Sequence, residues 1–254
     1  MSESVNLDNT INMRYYIPSI ITVLALCAGI SAIRLAFEME YEKAIKLVII
    51  AAALDGFDGR IARLLNAASP FGAQLDSLAD CVNFGVAPAL IVYMYILHNL
   101  HSIGWIAVLI YSVACCLRLA RFNATLNDSK IAKWQKNYFV GIPAPAGALL
   151  VLMPVYLGAL GVEFTYTVAL LFCFYTVCIS FLLISRFPVW NAKNFTLILR
   201  RDLMVMILLV LVAYVSFLVT YPWETLTLTS IFYLLFLPVS CFYYRKQYLA
   251  NKNS

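Results

Sequence analysis

Four aspartates, Asp55, Asp58, Asp76 and Asp80, lie within the 26 residues "DGFDGRIARLLNAASPFGAQLDSLAD". Asp55 and Asp58 are three residues apart and Asp76 and Asp80 four apart, so on helices each pair shares a face. Between the pairs runs "NAASPFG", where Ser69, Pro70 and Gly72 can turn the chain. The implied geometry is two helix ends that face each other, each offering two carboxylates. Carboxylates gathered without counter-charge repel and are driven to protonate. Divalent cations remove that conflict, and an oxygen-only donor set suits magnesium, manganese or calcium rather than zinc or copper. Two metals about 3.5–4 Å apart are a device for phosphoryl transfer. In such a site Arg63 would bind phosphate through its fixed fork of donors. Gly59 and Gly72 would let a bulky nucleotide approach the backbone, and the small Ala62 would relieve the same crowding. Arg60 suits solvent or lipid headgroups as well as it suits the site.

The elements that must position these residues are apolar. Hydrophobic residues make up 63% of the chain and charged residues 12%, with a mean hydropathy of +0.85. An ordinary soluble domain is about half apolar and about a quarter charged, so the class is an integral membrane protein. The seven cysteines sit mostly in apolar runs with irregular spacing and read as small core residues, not a disulfide framework or a zinc site. His98 and His101 flank a short turn and read as interfacial. The polar start "MSESVNLDNTINMRYY" lacks a basic segment followed by a short apolar one, so the first apolar run is expected to be a retained span rather than a cleaved signal.

A membrane core needs about 20 apolar residues per helix. On that scale eight spans are expected, near 16–37, 41–65, 72–97, 103–123, 143–162, 165–186, 201–221 and 225–244. Pro88, Pro145 and Pro154 fall inside these runs as expected kinks, which a membrane bundle can absorb. The loops on the side of the termini hold Arg60, Arg63, Arg118, Arg121, Lys130, Lys133, Lys136, Arg186, Lys193, Arg200 and Arg201, and the tail adds Arg245, Lys246 and Lys252. The opposite loops, "EMEYEK", "HNLHS", "GVEFTY" and "TYPWET", are mostly neutral or acidic. The positive-inside rule therefore puts both termini and the aspartate segment in the cytoplasm. The basic face suits contact with anionic lipid, and nucleic acid is not an expected partner. One membrane domain, residues 1–254, is the simplest division.

Written out, the spacing is Asp55, two residues, Asp58-Gly59, two residues, Ala62-Arg63, eight residues, Gly72, three residues, Asp76, three residues, Asp80. This pattern resembles the signature of the CDP-alcohol phosphotransferases, whose members replace the CMP of a CDP-linked lipid or alcohol with a hydroxyl acceptor. The resemblance implies an all-α bundle, with a six-helix core over about 14–186 and two further helices over about 200–245. It also implies that Asp55, Asp58 and Asp76 bind two divalent cations, Mg²⁺ or Mn²⁺, with Asp80 contributing to the second. Asp80 would be the base that deprotonates the acceptor, and Gly59, Arg63 and Ser69 would contact the CDP part of the substrate. Where the family has an Asn shortly before a Thr in its first helix, "PSIIT" offers Ser19 and Thr22.

Three further segments, "LDSLADCVNFGVAPAL", "RLARFN" and "GIPAPAGA", resemble the membrane-integrated phosphatidylserine synthase branch of that family. That likeness implies CDP-diacylglycerol and L-serine as substrates, a bacterial inner membrane and a homodimer. Asn83, Arg118, Arg121 and Asn123 are the candidates for binding serine or phosphate. Arg118 and Arg121 are one turn apart at the end of a span, where guanidiniums call for an anion or snorkel to the interface. Glycerol phosphate, inositol and choline are the alternative acceptors. The competing class is a carboxylate-coupled transporter, which would place its aspartates near mid-membrane on broken helices, often in inverted repeats. No second copy of the aspartate segment exists in the chain.

Overall fold

The computed structural model describes residues 16–65, 67, 69–125, 138–185, 188–190 and 201–252. Ten α-helices account for most of them: α1 (Tyr16–Phe37), α2 (Tyr41–Leu64), α3 (Pro70–Asp80), α4 (Ala87–Tyr95), α5 (Ser102–Thr125), α6 (Ala144–Val151), α7 (Met153–Ala159), α8 (Tyr166–Ile184), α9 (Arg201–Thr220) and α10 (Pro222–Lys252). The fold is the expected all-α bundle, and each of the eight expected spans coincides with a helix or a short succession of helices. Among the described residues, five helical stretches are long and apolar enough to cross a membrane: Tyr16–Phe37, Pro70–Tyr95, Ser102–Ala124, Tyr166–Ile184 and Pro222–Ser240. Ala144–Ala159 and Val205–Thr220 are apolar but shorter. A small antiparallel ladder, β1 (Tyr138–Val140) with β2 (Pro188–Trp190), pairs Phe139 with Val189. Lys130, Lys133, Lys136, Arg186, Lys193 and Arg200 of the basic loops lie outside the described residues.

Small residues set the closest approach. The buried stripe of α1 is Pro18, Thr22, Ala25, Gly29, Ala32 and Ala36, at alternating three- and four-residue spacing. Such a stripe brings two helix backbones together, and α1 packs along α2 through it. The opposite face carries Ile20, Val23, Leu24 and Ile30, all exposed. Every residue of α9 from Val205 to Val212 is also exposed and apolar. In a membrane these faces meet acyl chains. The core, with Phe84, Ile91, Tyr111 and Tyr156 fully buried, lies among α1, α2, α4, α5, α6, α7 and α8.

The prolines interrupt helices where expected. The run over 143–162 divides at Leu152 into α6 and α7, with Pro145 and Pro154 in their first turns. Pro88 sits at the start of α4, directly after a π-helical turn over Cys81–Val86. Lacking an N–H, Pro88 cannot bond to the carbonyl of Phe84, four residues earlier. The Tyr111 hydroxyl of α5 donates to that carbonyl at 3.0 Å, and Ser112 Oγ donates to Gly85 O at 3.3 Å. Before α6, Gly141 has φ +83°, and a Cβ there would stand 2.7 Å from Leu183 O and 2.9 Å from Ser185 O. Only glycine lets the chain turn so close to the end of α8.

Candidate active site

The acidic segment folds as two helices and a tight connection. α2 remains helical through Leu64, so Asp55 and Asp58 stand on its last turns. α3 begins at Pro70, in the position where a missing N–H costs nothing, and Ser69 caps it by accepting from Gly72 N at 3.0 Å. Asp76 lies within α3 and Asp80 at its end, where the π-turn begins.

Asp55, Asp76 and Asp80 each offer a carboxylate oxygen within 4.8 Å of the others. Asp80 Oδ1 is buried with no hydrogen-bond partner among the described residues. An all-oxygen set with an unpaired buried carboxylate oxygen fits a hard divalent cation. Asp58 stands apart from this group. It is 3% exposed, and its Oδ2 accepts from Thr22 Oγ1 at 2.6 Å. The same hydroxyl lies 3.1 Å from Pro18 O, one turn back on α1.

A cavity of about 320 Å³ opens beside the carboxylates. Its lining includes Ser19, Thr22, Gly59, Ala62, Arg63, Ser69 and Gly72, together with Asp58 and Asp76. All seven residues expected to contact a CDP-linked lipid thus share one cavity with two of the aspartates. At Gly59 a Cβ would meet nothing within 4 Å, so this backbone is open to whatever fills the space. At Gly72 a Cβ would crowd Ser69 Oγ at 3.1 Å. Arg63 is exposed and its Nε donates to Gly59 O at 2.9 Å. Arg60 is exposed and does not line the cavity.

The acceptor candidates divide. Asn83 is fully buried in the π-turn, and neither its Oδ1 nor its Nδ2 has a partner among the described residues. Arg118 Nε is also buried and has no hydrogen-bond partner among the described residues. Arg121 is engaged elsewhere, since its Nη1 donates to Ile184 O at 2.6 Å and so caps the end of α8. Asn123 Nδ2 donates to Ser77 Oγ at 2.9 Å, which ties α5 to α3.

Comparison with known proteins bears on the same residues. The CDP-alcohol phosphatidyltransferase family matches residues 15–176, a span that contains every residue of the cavity and the carboxylate group. The chain belongs to this family. A second family pattern, CDP-alcohol phosphatidyltransferase 2, matches residues 202–238. A Mycobacterium leprae protein named CDP-diacylglycerol–serine O-phosphatidyltransferase is 48% identical over 68% of this chain and 57% of its own length. Proteins of that name from Helicobacter pylori and Bacillus subtilis are both 37% identical, the first over 74% of this chain and 81% of its own length, the second over 67% and 88%. The chain spans about three fifths of the length of the mycobacterial relatives it matches. A family of membrane enzymes and several apolar helices make this an integral membrane protein.

Two positions that the CDP-alcohol phosphatidyltransferase signature does not contain shape the surroundings of Asn83. Gly29 on α1 leaves room for Asn83, because a Cβ there would overlap Asn83 Oδ1. Tyr111 donates to the Phe84 carbonyl and so ties α5 to the π-turn holding Asn83. A glycine in the small-residue stripe of α1 was a visible signal for the first. A tyrosine in an apolar run carries none.

Proposed function

We propose that this chain transfers the phosphatidyl group of CDP-diacylglycerol to the hydroxyl of L-serine and releases CMP. The observation that carries this reading is the cavity in which all seven CDP-lipid candidates meet Asp58 and Asp76 beside the carboxylate group. The names of the relatives support serine as the acceptor. The lipid-facing helices beside the cavity suit a substrate that enters sideways from the inner leaflet of a bacterial membrane, with the active site and both termini cytoplasmic. The enzyme is read as a homodimer of one-domain chains.

Asp55, Asp58, Asp76 and Asp80 would hold two divalent cations, Mg²⁺ or Mn²⁺. When bound, these neutralise the pyrophosphate and stabilise charge on the attacking and leaving oxygens. Ser19, Thr22, Ser69 and the open backbone at Gly59 and Gly72 hold the cytidine diphosphate part. The serine oxygen bonds to the phosphorus bearing diacylglycerol as the bond from that phosphorus to the CMP oxygen breaks. Asp80 takes the hydroxyl proton. A carboxylate is a weak base for an alcohol, so its proton transfer is concerted with attack. Arg63 accompanies the charge that leaves on CMP.

An acceptor panel tests the reading: CMP release from CDP-diacylglycerol by purified protein with serine, glycerol phosphate, inositol and choline. Serine alone is expected to support release. Release with another acceptor and not with serine would place the chain elsewhere in the family.

A further inference from the structure

A cavity of about 450 Å³ lies at the other end of the bundle from the carboxylates. Its lining draws on the start of α2, the ends of α4 and α7, and the start of α10. Lys43 in the lining and Asp58 are fifteen residues apart on α2, so about 22 Å of helix separates the two places. Three of the membrane-crossing stretches stop here, with Phe37, Tyr95 and Pro222 as their end residues. The cavity therefore stands at headgroup level, on the membrane face opposite the candidate active site.

Its charges are balanced but only half paired. Glu40, Glu42, Lys43 and Lys46 all line it. Lys43 Nζ pairs with Glu40 Oε1 at 3.0 Å. Glu42 and Lys46 stand four residues apart, the spacing at which glutamate and lysine on a helix ordinarily pair. Neither has an ion-pair or hydrogen-bond partner among the described residues. One unpaired carboxylate and one unpaired ammonium thus border the same space.

Much of the remaining wall is aromatic. Tyr41 and Tyr95 meet edge to face, with ring centroids 4.9 Å apart and planes at 79°, and Trp223 lines the cavity with them. The tyrosines are held in place. The Tyr41 hydroxyl donates to Met94 O at 3.1 Å, and Gly158 leaves room for the Tyr95 hydroxyl, which a Cβ there would overlap. Aromatic faces beside a carboxylate suit an ammonium group, and a lysine suits a phosphate. A ligand that carries a phosphate and an ammonium a few bonds apart satisfies both halves. Phe37 and Leu160 flank the lining residues in sequence and are exposed, which gives acyl chains a surface beside the headgroup.

We propose that this cavity binds the headgroup of a zwitterionic phospholipid from the leaflet opposite the carboxylates, with Lys46 on its phosphate and Glu42, Tyr95 and Trp223 around its ammonium. The site is separate from the proposed reaction and does not depend on serine being the acceptor.

The test is native mass spectrometry of the purified full-length chain, titrated in detergent with phosphatidylethanolamine, phosphatidylglycerol or chain-free phosphoethanolamine. Phosphatidylethanolamine is expected to bind about tenfold more tightly than either of the others. Lys46→Ala should weaken its binding about tenfold, as for a lost hydrogen bond between charged groups. Glu42→Gln should bring it down to the level of phosphatidylglycerol. Lipid held at the candidate active site is common to wild type and variants and cancels in the comparison. Both residues are exposed, so the thermal midpoints should stay within about 2 °C of wild type. CMP release should stay within about twofold, since neither side chain is near the aspartates. Equal binding of the two lipids by wild type, or binding unchanged in both variants, overturns the proposal. Phosphoethanolamine bound as tightly as the lipid also overturns it, because the site would then take a soluble zwitterion.

Discussion

The Thr22 hydroxyl donates to Asp58 Oδ2 across 2.6 Å, joining the first helix to the acidic end of the second. Asp58 is 3% exposed, so this bond holds a buried carboxylate at the edge of the cavity. Thr22→Val removes it without changing the shape of the side chain. Hydrogen bonds to charged groups contribute about 1.5–3 kcal/mol. The expected result is a KM for CDP-diacylglycerol raised roughly tenfold, with Thr22→Ser close to wild type in the same steady-state assay.

The carboxylate group should bind metal before any substrate arrives. A ligand that binds only the folded state raises its stability in proportion to the logarithm of its concentration. Mn²⁺ or Mg²⁺ should therefore raise the thermal midpoint of the detergent-solubilised protein, and a chelator should reverse the rise and stop CMP release. Asp55→Ala, Asp76→Ala and Asp80→Asn should each nearly abolish release and blunt the metal-dependent rise. Full activity in Asp80→Asn would remove its assignment as base.

Gly59 and Gly29 should fail in opposite ways. A Cβ at Gly59 meets no protein atom within 4 Å, so Gly59→Ala should keep its thermal midpoint and lose affinity for CDP-diacylglycerol. A Cβ at Gly29 overlaps the amide of Asn83. Overpacking of this kind costs about 1–3 kcal/mol, so Gly29→Ala should lower the midpoint and also raise the KM for serine. Thermal melts and kinetics on the two variants distinguish the cases.

Tyr111→Phe removes the hydroxyl that donates to the Phe84 carbonyl. An unsatisfied buried carbonyl costs about 1–3 kcal/mol. The variant should melt earlier than wild type.

Much of this site was readable in the linear chain, because its residues are close in sequence. Asp55 to Asp80 with Ser69 and Gly72 form one continuous stretch, where helical spacing and a capped turn determine what meets what. The apolar runs announced the helices, and Pro154 announced the break between α6 and α7. What escaped depends on contacts between distant helices. Arg118 and Arg121 look alike one turn apart, yet Arg121 bonds to the Ile184 carbonyl 63 residues away. A backbone carbonyl leaves no trace in sequence. The fit of Gly29 against Asn83 likewise requires the folded bundle.

The π-turn over Cys81–Val86 has a consequence for how such a protein diversifies. A π-turn places one more residue in a turn than a regular helix does, and one residue corresponds to about 100° of rotation. The segment therefore works as a phase adjuster: the aspartates of α3 keep their bearing, while α4 beyond the turn is set to a different one. Deleting a single residue there would swing α4 about its own axis and leave the bearing of the α3 aspartates unchanged. The carboxylate-bearing half and the core-packing half are thus separable on one continuous rod, with the joint between them only six residues long.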